Sequence, residues 1–230
     1  MIILALDTTT RAGSAALLHD GVVIAEQAGD PDLTHGQRLP EELTAVLQRA
    51  GARIADVDLF AVAAGPGSFT GLRVGIATIQ GLAMARGTRV AAVSALEALA
   101  RMAANPDRQV GAWMDAQRGE VFAALYAADG RDLLIAPVAA VPTTVLDAWS
   151  GGIQGRGLVM IGDGAVKHRQ ILADRLGGRV EVVEPPPLAG MIGRIAAEEP
   201  GRAILPHAIV PIYIRRPDAE LARARRRGRE

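Results

Sequence analysis

Short apolar runs alternate with glycine- and aspartate-bearing turns along the chain, and stretches of helical spacing fall between them. Ile2 to Leu6 reads as a continuous buried strand. Ser14 to Leu18 and Val22 to Ala28 read as two more, joined by the tight turn His19-Asp20-Gly21. Leu39, Leu43, Val46, Leu47 and Ala50 recur with the helical period. Thr34 with Gln37 three residues on is a capping box, Pro40 is tolerated in the first turn, and Gly51 is a stop. Leu59 to Ala64 predicts a strand, Leu72 to Met84 a helix and Arg89 to Val93 a strand. Ser94 caps a helix running to Met102. Three antiparallel strands followed by strand–helix crossovers make a mixed sheet with helices packed on it.

Asn105-Pro106-Asp107 breaks the chain, and the theme then repeats. Gln109 to Met114 and Val121 to Tyr126 read as strands around the turn Asp115-Ala116-Gln117-Arg118-Gly119, as Ile2 to Leu6 and Ser14 to Leu18 flank the Asp7 turn. Thr143 to Trp149 is a helix, Leu158 to Ile161 a strand, and a helix follows Gly162-Asp163-Gly164 to about Leu176. After Pro185-Pro186-Pro187 comes a helix from Gly190 to Glu198. The expected division is a first lobe over 1–105, a smaller second lobe over 106–215, and a charged tail over 216–230 that is expected to fray. Two lobes that each open with strand, Asp-bearing turn and strand suggest an internal duplication. The expected class is an α/β, two-lobed actin-like ATPase (ribonuclease H-like) fold, in which facing turns clamp nucleotide phosphates.

Composition narrows the picture. The 230 residues are half hydrophobic with zero formal charge, which suits a soluble globular protein and argues against a dedicated nucleic-acid binder. Absence of cysteine excludes disulfides, thiolate catalysis and cysteine-based metal sites. The apolar start has no basic leader and meets Asp7 too early for a signal peptide. No stretch is long and uncharged enough to span a bilayer, so a cytoplasmic location without membrane contact is expected.

The candidate chemistry lies in the turns. Gly65-Pro66-Gly67-Ser68-Phe69-Thr70-Gly71 joins a strand to a helix, where backbone N–H groups bind anions. It lacks the lysine of a Walker A loop and has one residue too many for a dinucleotide fingerprint. Asp7, Thr8, Thr9, Gly67, Ser68 and Asp115 are the candidate nucleotide- or phosphate-binding residues; the alternative is ordinary turn packing. Asp115, Arg118 and Glu120 form a charged group that would either face Asp7 across a cleft or make up an ordinary solvated turn. Gly71, Gly75 and Thr78 share one helical face, and each interior glycine costs about 0.5–1 kcal/mol against alanine. Small residues in a row admit another backbone, either of this chain or of another. The histidines, His19, His35, His168 and His207, include no pair at i, i+4, so no metal site is expected. There is no G-x-S-x-G elbow, and no persuasive catalytic constellation emerges.

Ile3-Leu4-Ala5-Leu6-Asp7-Thr8-Thr9-Thr10, the motif Gly65 to Gly75, and Met114-Asp115-Ala116-Gln117-Arg118-Gly119-Glu120-Val121-Phe122 together resemble the TsaB/YeaZ family. Ile161 to Ala165 and Pro211 to Arg215 resemble its later landmarks. The resemblance covers the chain up to the tail, departing from the family at Gln117, where arginine is common, and Phe122, where tyrosine is common. It implies a noncatalytic subunit that pairs with the larger paralogue TsaD to form threonylcarbamoyladenosine beside the anticodon of tRNAs reading codons that begin with A. The ATPase TsaE joins that complex, tRNA is met indirectly, and two copies pair when TsaD is absent. TsaD carries an H-x-x-x-H metal pair; here only His35 stands near the helix start. The resemblance implies no required cofactor, though it allows ATP or ADP near the interface. It also places the partner contact on Leu39, Leu43 and Leu47 of the first helix and on Gly71, Leu72, Gly75, Ile76 and Ile79 of the second. The rival from another class is a stand-alone ATPase using Asp7 and Asp115, or a peptidase.

Overall fold

A computed structural model describes residues 1–153 and 157–215, so the expectation for the charged tail lies outside the described residues. The first sheet has the order β11-β5-β4-β1-β2-β3. Its strands are β1 (Ile2–Asp7), β2 (Ser14–His19), β3 (Val22–Ala28), β4 (Leu59–Gly65), β5 (Arg89–Ser94) and the short β11 (Ala203–Ile204). The second sheet has the order β10-β9-β6-β7-β8, from β6 (Gln109–Asp115), β7 (Val121–Tyr126), β8 (Leu133–Ala140), β9 (Leu158–Ile161) and β10 (Val180–Val183). In each sheet the opening strand pairs antiparallel with the next and parallel with the fourth, which pairs parallel with the fifth. The expected duplication is therefore present in the topology.

Burial explains the layers. β1 is central and covered on both faces, as its unbroken apolar run requires. Leu4 and Leu6 point to a cluster formed with α1 (His35–Arg49) and α2 (Phe69–Arg86) on the outside of the sheet. Ile3 and Ala5 point the other way, into a cluster shared with α3 (Ala95–Met102), α7 (Ala189–Glu198) and strand β6 of the second sheet. A third cluster, around Trp113 and Trp149, lies between the second sheet and the helices α4 (Pro142–Trp149), α5 (Asp163–Lys167) and α6 (Arg169–Leu176).

Several elements differ from expectation. Ser68 caps α2, its Oγ accepting the Gly71 N–H at 3.2 Å, so Phe69, Thr70 and Gly71 are already helical. The single helix expected up to Leu176 is two, interrupted at His168. The second sheet uses residues 109–183, and the chain then returns to the first sheet. Ser14 Oγ, fully buried, accepts the N–H groups of Leu188 (3.1 Å) and Ala189 (2.9 Å). Gly193 lets α7 lie against Leu18, β11 pairs with β5, and the Ile212 N–H bonds Ala64 O at 2.7 Å. Residues 189–212 thus serve the first lobe, whereas the expected boundaries gave 106–215 to the second. The apolar face of Ile192, Ile195 and Ala196 needs cover, and the middle layer supplies it.

Ser14→Ala leaves two buried N–H groups of the returning segment without an acceptor. It is expected to lower unfolding free energy by about 1–3 kcal/mol, read by urea denaturation.

Candidate functional site

The glycines of the long motif meet the chain's own first loop. A Cβ at Gly71 would overlap the Thr8 carbonyl oxygen, and one at Gly75 would overlap Thr8 Oγ1. A Cβ at Gly67 would stand 2.5 Å from Thr9 Cβ. The Ser68 N–H donates to Thr9 O at 2.8 Å. The backbone that the glycines admit is therefore the Thr8–Thr9 segment following β1. The residues expected to touch a partner face inward. Leu39, Leu43, Gly71, Leu72, Gly75, Ile76 and Ile79 are all buried within the chain, and Leu47 is half-buried against the same outer cluster. Their apolar and small side chains face the first sheet because that is where burial is gained.

The opposite side of α2 is open. Thr70, Arg73, Ala77, Gly81 and Met84 recur along it at helical spacing and are exposed, Met84 by 66%. A Cβ at Gly81 would meet nothing within 4 Å. No charge falls between Arg73 and Arg86, so the helix is apolar on both sides. Arg73 lies over the Phe69 ring, its Cζ 3.8 Å from the centroid, and Phe69 in turn packs on Tyr213. Sequence reasoning missed this outer face, although the charge-free run from Val74 to Ala85 was there to be read.

Between the two sheets opens a cleft of about 1040 Å³. Of the candidate phosphate-binding residues, Thr9, Gly67, Ser68 and Asp115 line it. Asp7 and Thr8 do not; they are buried beneath the loop, Asp7 to 3% exposure. Asp7 Oδ1 accepts the Thr9 N–H (2.8 Å) and the Thr9 hydroxyl (2.6 Å). Burial raises its pKa, the Thr9 bonds oppose that, nearby Asp163 adds to it and Arg38 subtracts from it. Across the cleft, Asp115 pairs with Lys167 at 2.7 Å, and its N–H bonds Asp163 Oδ1 at 3.0 Å. Gln117 and Arg118 hold left-handed backbone, φ 62° and 56°, in the turn that lines the second lobe's side. Residues 212–215 cross the mouth, where Arg215 pairs with Glu120 at 2.8 Å.

A buried ion pair locks α1 beneath this loop. Arg38, 2% exposed, pairs with Glu42 one turn on and contacts His35 Nδ1. Its guanidinium occupies the space that Cβ atoms at Gly13 and Gly29 would need. Burial, then the Arg38 charge, push the His35 pKa down. Arg38 and Glu42 share the phase of Leu39, Leu43 and Val46, a signal of inward charge that periodicity alone carried.

Two outcomes follow for the isolated chain. Gly75→Ala is expected to cost about 1–3 kcal/mol by overpacking Thr8, whereas Gly81→Ala is expected to add about 0.5–1 kcal/mol, both by urea denaturation. For Asp7 the folded pKa lies above the unfolded value of about 3.9. Its stabilising protonation is complete below that value and is lost as pH rises through the folded one. Thermal melts from pH 8 down to pH 4 should therefore show the wild-type chain gaining stability relative to Asp7→Asn.

The chain is similar to known proteins over most of its length. Residues 30–165 match the TsaD family, described as tRNA N6-adenosine threonylcarbamoyltransferase. The Bacillus subtilis tRNA threonylcarbamoyladenosine biosynthesis protein TsaB is 29% identical over 96% of both chains. Solved YeaZ from Pseudomonas aeruginosa is 30% identical, with a TM-score of 0.75 over 92% of this chain and 99% of that one. The Clostridium difficile activator of 2-hydroxyisocaproyl-CoA dehydratase, solved with bound ADPNP, shares only the fold, at 13% identity and a TM-score of 0.54 over 86% of this chain and 95% of that one. The two duplicated sheets are those of the actin-like ATPase fold, and the chain belongs to the TsaD-related TsaB/YeaZ family.

Proposed function

We propose that this chain is a noncatalytic subunit in the synthesis of threonylcarbamoyladenosine on tRNA, and that it docks the outer face of α2 on a larger TsaD-type partner. The observation that carries the reading is the two-sided apolar character of α2. Its inner glycines have a reason within the chain, and Gly81 has none among the described residues. An exposed mid-helix glycine costs stability, and a surface that closes on it from outside turns that cost into close approach. The names of the relatives supply the pathway, and the match to the TsaD family makes a partner of the same fold the natural occupant. In this reading a TsaE-type ATPase joins the pair, tRNA is met through the partner, and two copies use the same face when the partner is absent. ATP or ADP beside the interface is compatible with it. In this reading the work is done in the cytoplasm. No helix among the described residues is long and apolar enough to cross a membrane.

A stand-alone ATPase or peptidase has less behind it, although one solved relative from Pseudomonas aeruginosa is described as similar to peptidase YeaZ. Asp7 is closed off from the cleft, and the Ser68 N–H is taken by Thr9. Among the described residues no three His, Cys, Asp or Glu side chains converge to hold a metal.

Gly81→Leu tests the docking face. Calorimetric titration with the TsaD-type paralogue of the same organism is expected to show affinity falling by about tenfold or more, while the melting temperature of the free chain does not drop. Unchanged affinity would overturn the reading.

A further inference from the structure

We infer that Arg73 is the specificity-determining residue of the docking face, receiving a carboxylate of the partner subunit. The inference rests on the docking reading above. Arg73 shares the exposed phase of α2 with Ala77, Gly81 and Met84. Its guanidinium is held in place before any partner arrives. It lies over Phe69 one turn back, its Cζ 3.8 Å from the ring centroid, and its Nε stands 3.5 Å from the Tyr213 hydroxyl. Tyr213 is fixed in turn, its ring centroid 5.1 Å from that of Phe69, on a segment anchored by the Ile212 N–H on Ala64 O.

Among the described residues no carboxylate or carbonyl takes the terminal nitrogens of Arg73. A stacked guanidinium with a fixed stem presents its outer N–H groups as a fork that matches a carboxylate bidentately. The helix surface running away from it has no acid of its own. An apolar partner surface that closes on Ala77, Gly81 and Met84 therefore strips water from a lone cation, and a buried charge is tolerated only when it is paired. The partner must bring the anion. The apolar, small-residue surroundings favour a carboxylate on a protein surface over a free phosphate.

The test is calorimetric titration of the full-length chain with its TsaD-type paralogue at several salt concentrations, using Arg73→Gln, Arg73→Lys and Gly81→Leu. Arg73→Gln is expected to weaken binding about ten- to hundred-fold and to flatten the salt dependence. Arg73→Lys should recover only part of the loss, because it keeps the charge without the fork. If Gly81→Leu abolishes binding while Arg73→Gln leaves it unchanged, the docking face stands and the role of Arg73 falls. If neither changes binding, both fall. Two further arms decide the source of the anion. The free chain is titrated with ATP and with inorganic phosphate, and the paralogue titration is repeated with a chain ending at Arg215, which lacks the carboxylates of Asp218, Glu220 and Glu230. A phosphate or ATP affinity that depends on Arg73, or an Arg73 effect that vanishes in the shortened chain, would overturn the assignment; persistence of the effect with the paralogue supports it.

Discussion

The Thr8–Thr9 segment lies directly on the first two turns of α2, and the rest of the architecture around the cleft is arranged by that contact. Backbone approaches a helix this closely only where side chains are missing. Gly67, Gly71 and Gly75 remove three Cβ atoms along one line, and Thr8 and Thr9 fill the space. The contact fixes α2 against β1, because Leu72, Ile76 and Ile79 must then enter the core beside Thr8. It also holds Asp7 in its buried place, since both hydrogen bonds to its carboxylate come from Thr9. Arg38 finishes the same junction from the side of α1, wedged against Gly13 and Gly29 and paired with Glu42.

That contact bears on what the cleft can do. A glycine loop at the start of a long helix is a ready anion site when its N–H groups face an open space. Here the Ser68 N–H is satisfied by Thr9 O and the Gly71 N–H by Ser68 Oγ. The motif that looks like phosphate chemistry is, at these groups, satisfied by the protein itself. The cleft remains wide, yet its floor near β1 is packed chain, and its mouth is crossed by the segment that ends in the Arg215–Glu120 pair. A fold shared with nucleotide-bound proteins is compatible with such an arrangement, because function resides in the site and not in the fold.

Much of the fold was legible in the sequence. The apolar runs marked β1 to β7 and β9, and Ser94 and Gly51 marked helix ends where the structure has them. The duplicated Asp turns gave the repeated topology. What escaped has physical causes. β8 is an edge strand whose apolar residues do not alternate and which carries Pro137, so it lacks the period of a half-buried strand. β10 and β11 are too short to show a pattern and exist because a neighbour offers an edge. The return of α7 to the first sheet is a tertiary choice. It depends on Ser14 and on the small residues of α7, which look alike in sequence whichever sheet they serve. Of the expected site residues, Thr9, Gly67, Ser68 and Asp115 line the cleft, whereas Asp7 and Thr8 lie under it.

The residues expected to meet a partner pack inward instead, for a reason that generalises. Glycine spacing says that a helix is approached closely; it does not say from which side. Phase decides that. Gly71 and Gly75 stand in register with Leu72, Ile76 and Ile79, the large apolar residues that any single-domain packing must bury, so their close neighbour is the chain's own interior. Gly81 stands in register with Ala77 and Met84, on a side that is exposed among the described residues. A helix that buried only its inner face would have no need to keep Val74 to Ala85 free of charge, since solvent rewards lysine or glutamate there. The three glycines of α2 thus fall on two sides of the helix, Gly71 and Gly75 inside and Gly81 outside. The inner pair builds the fold, and in the docking reading the outer glycine is where a partner closes.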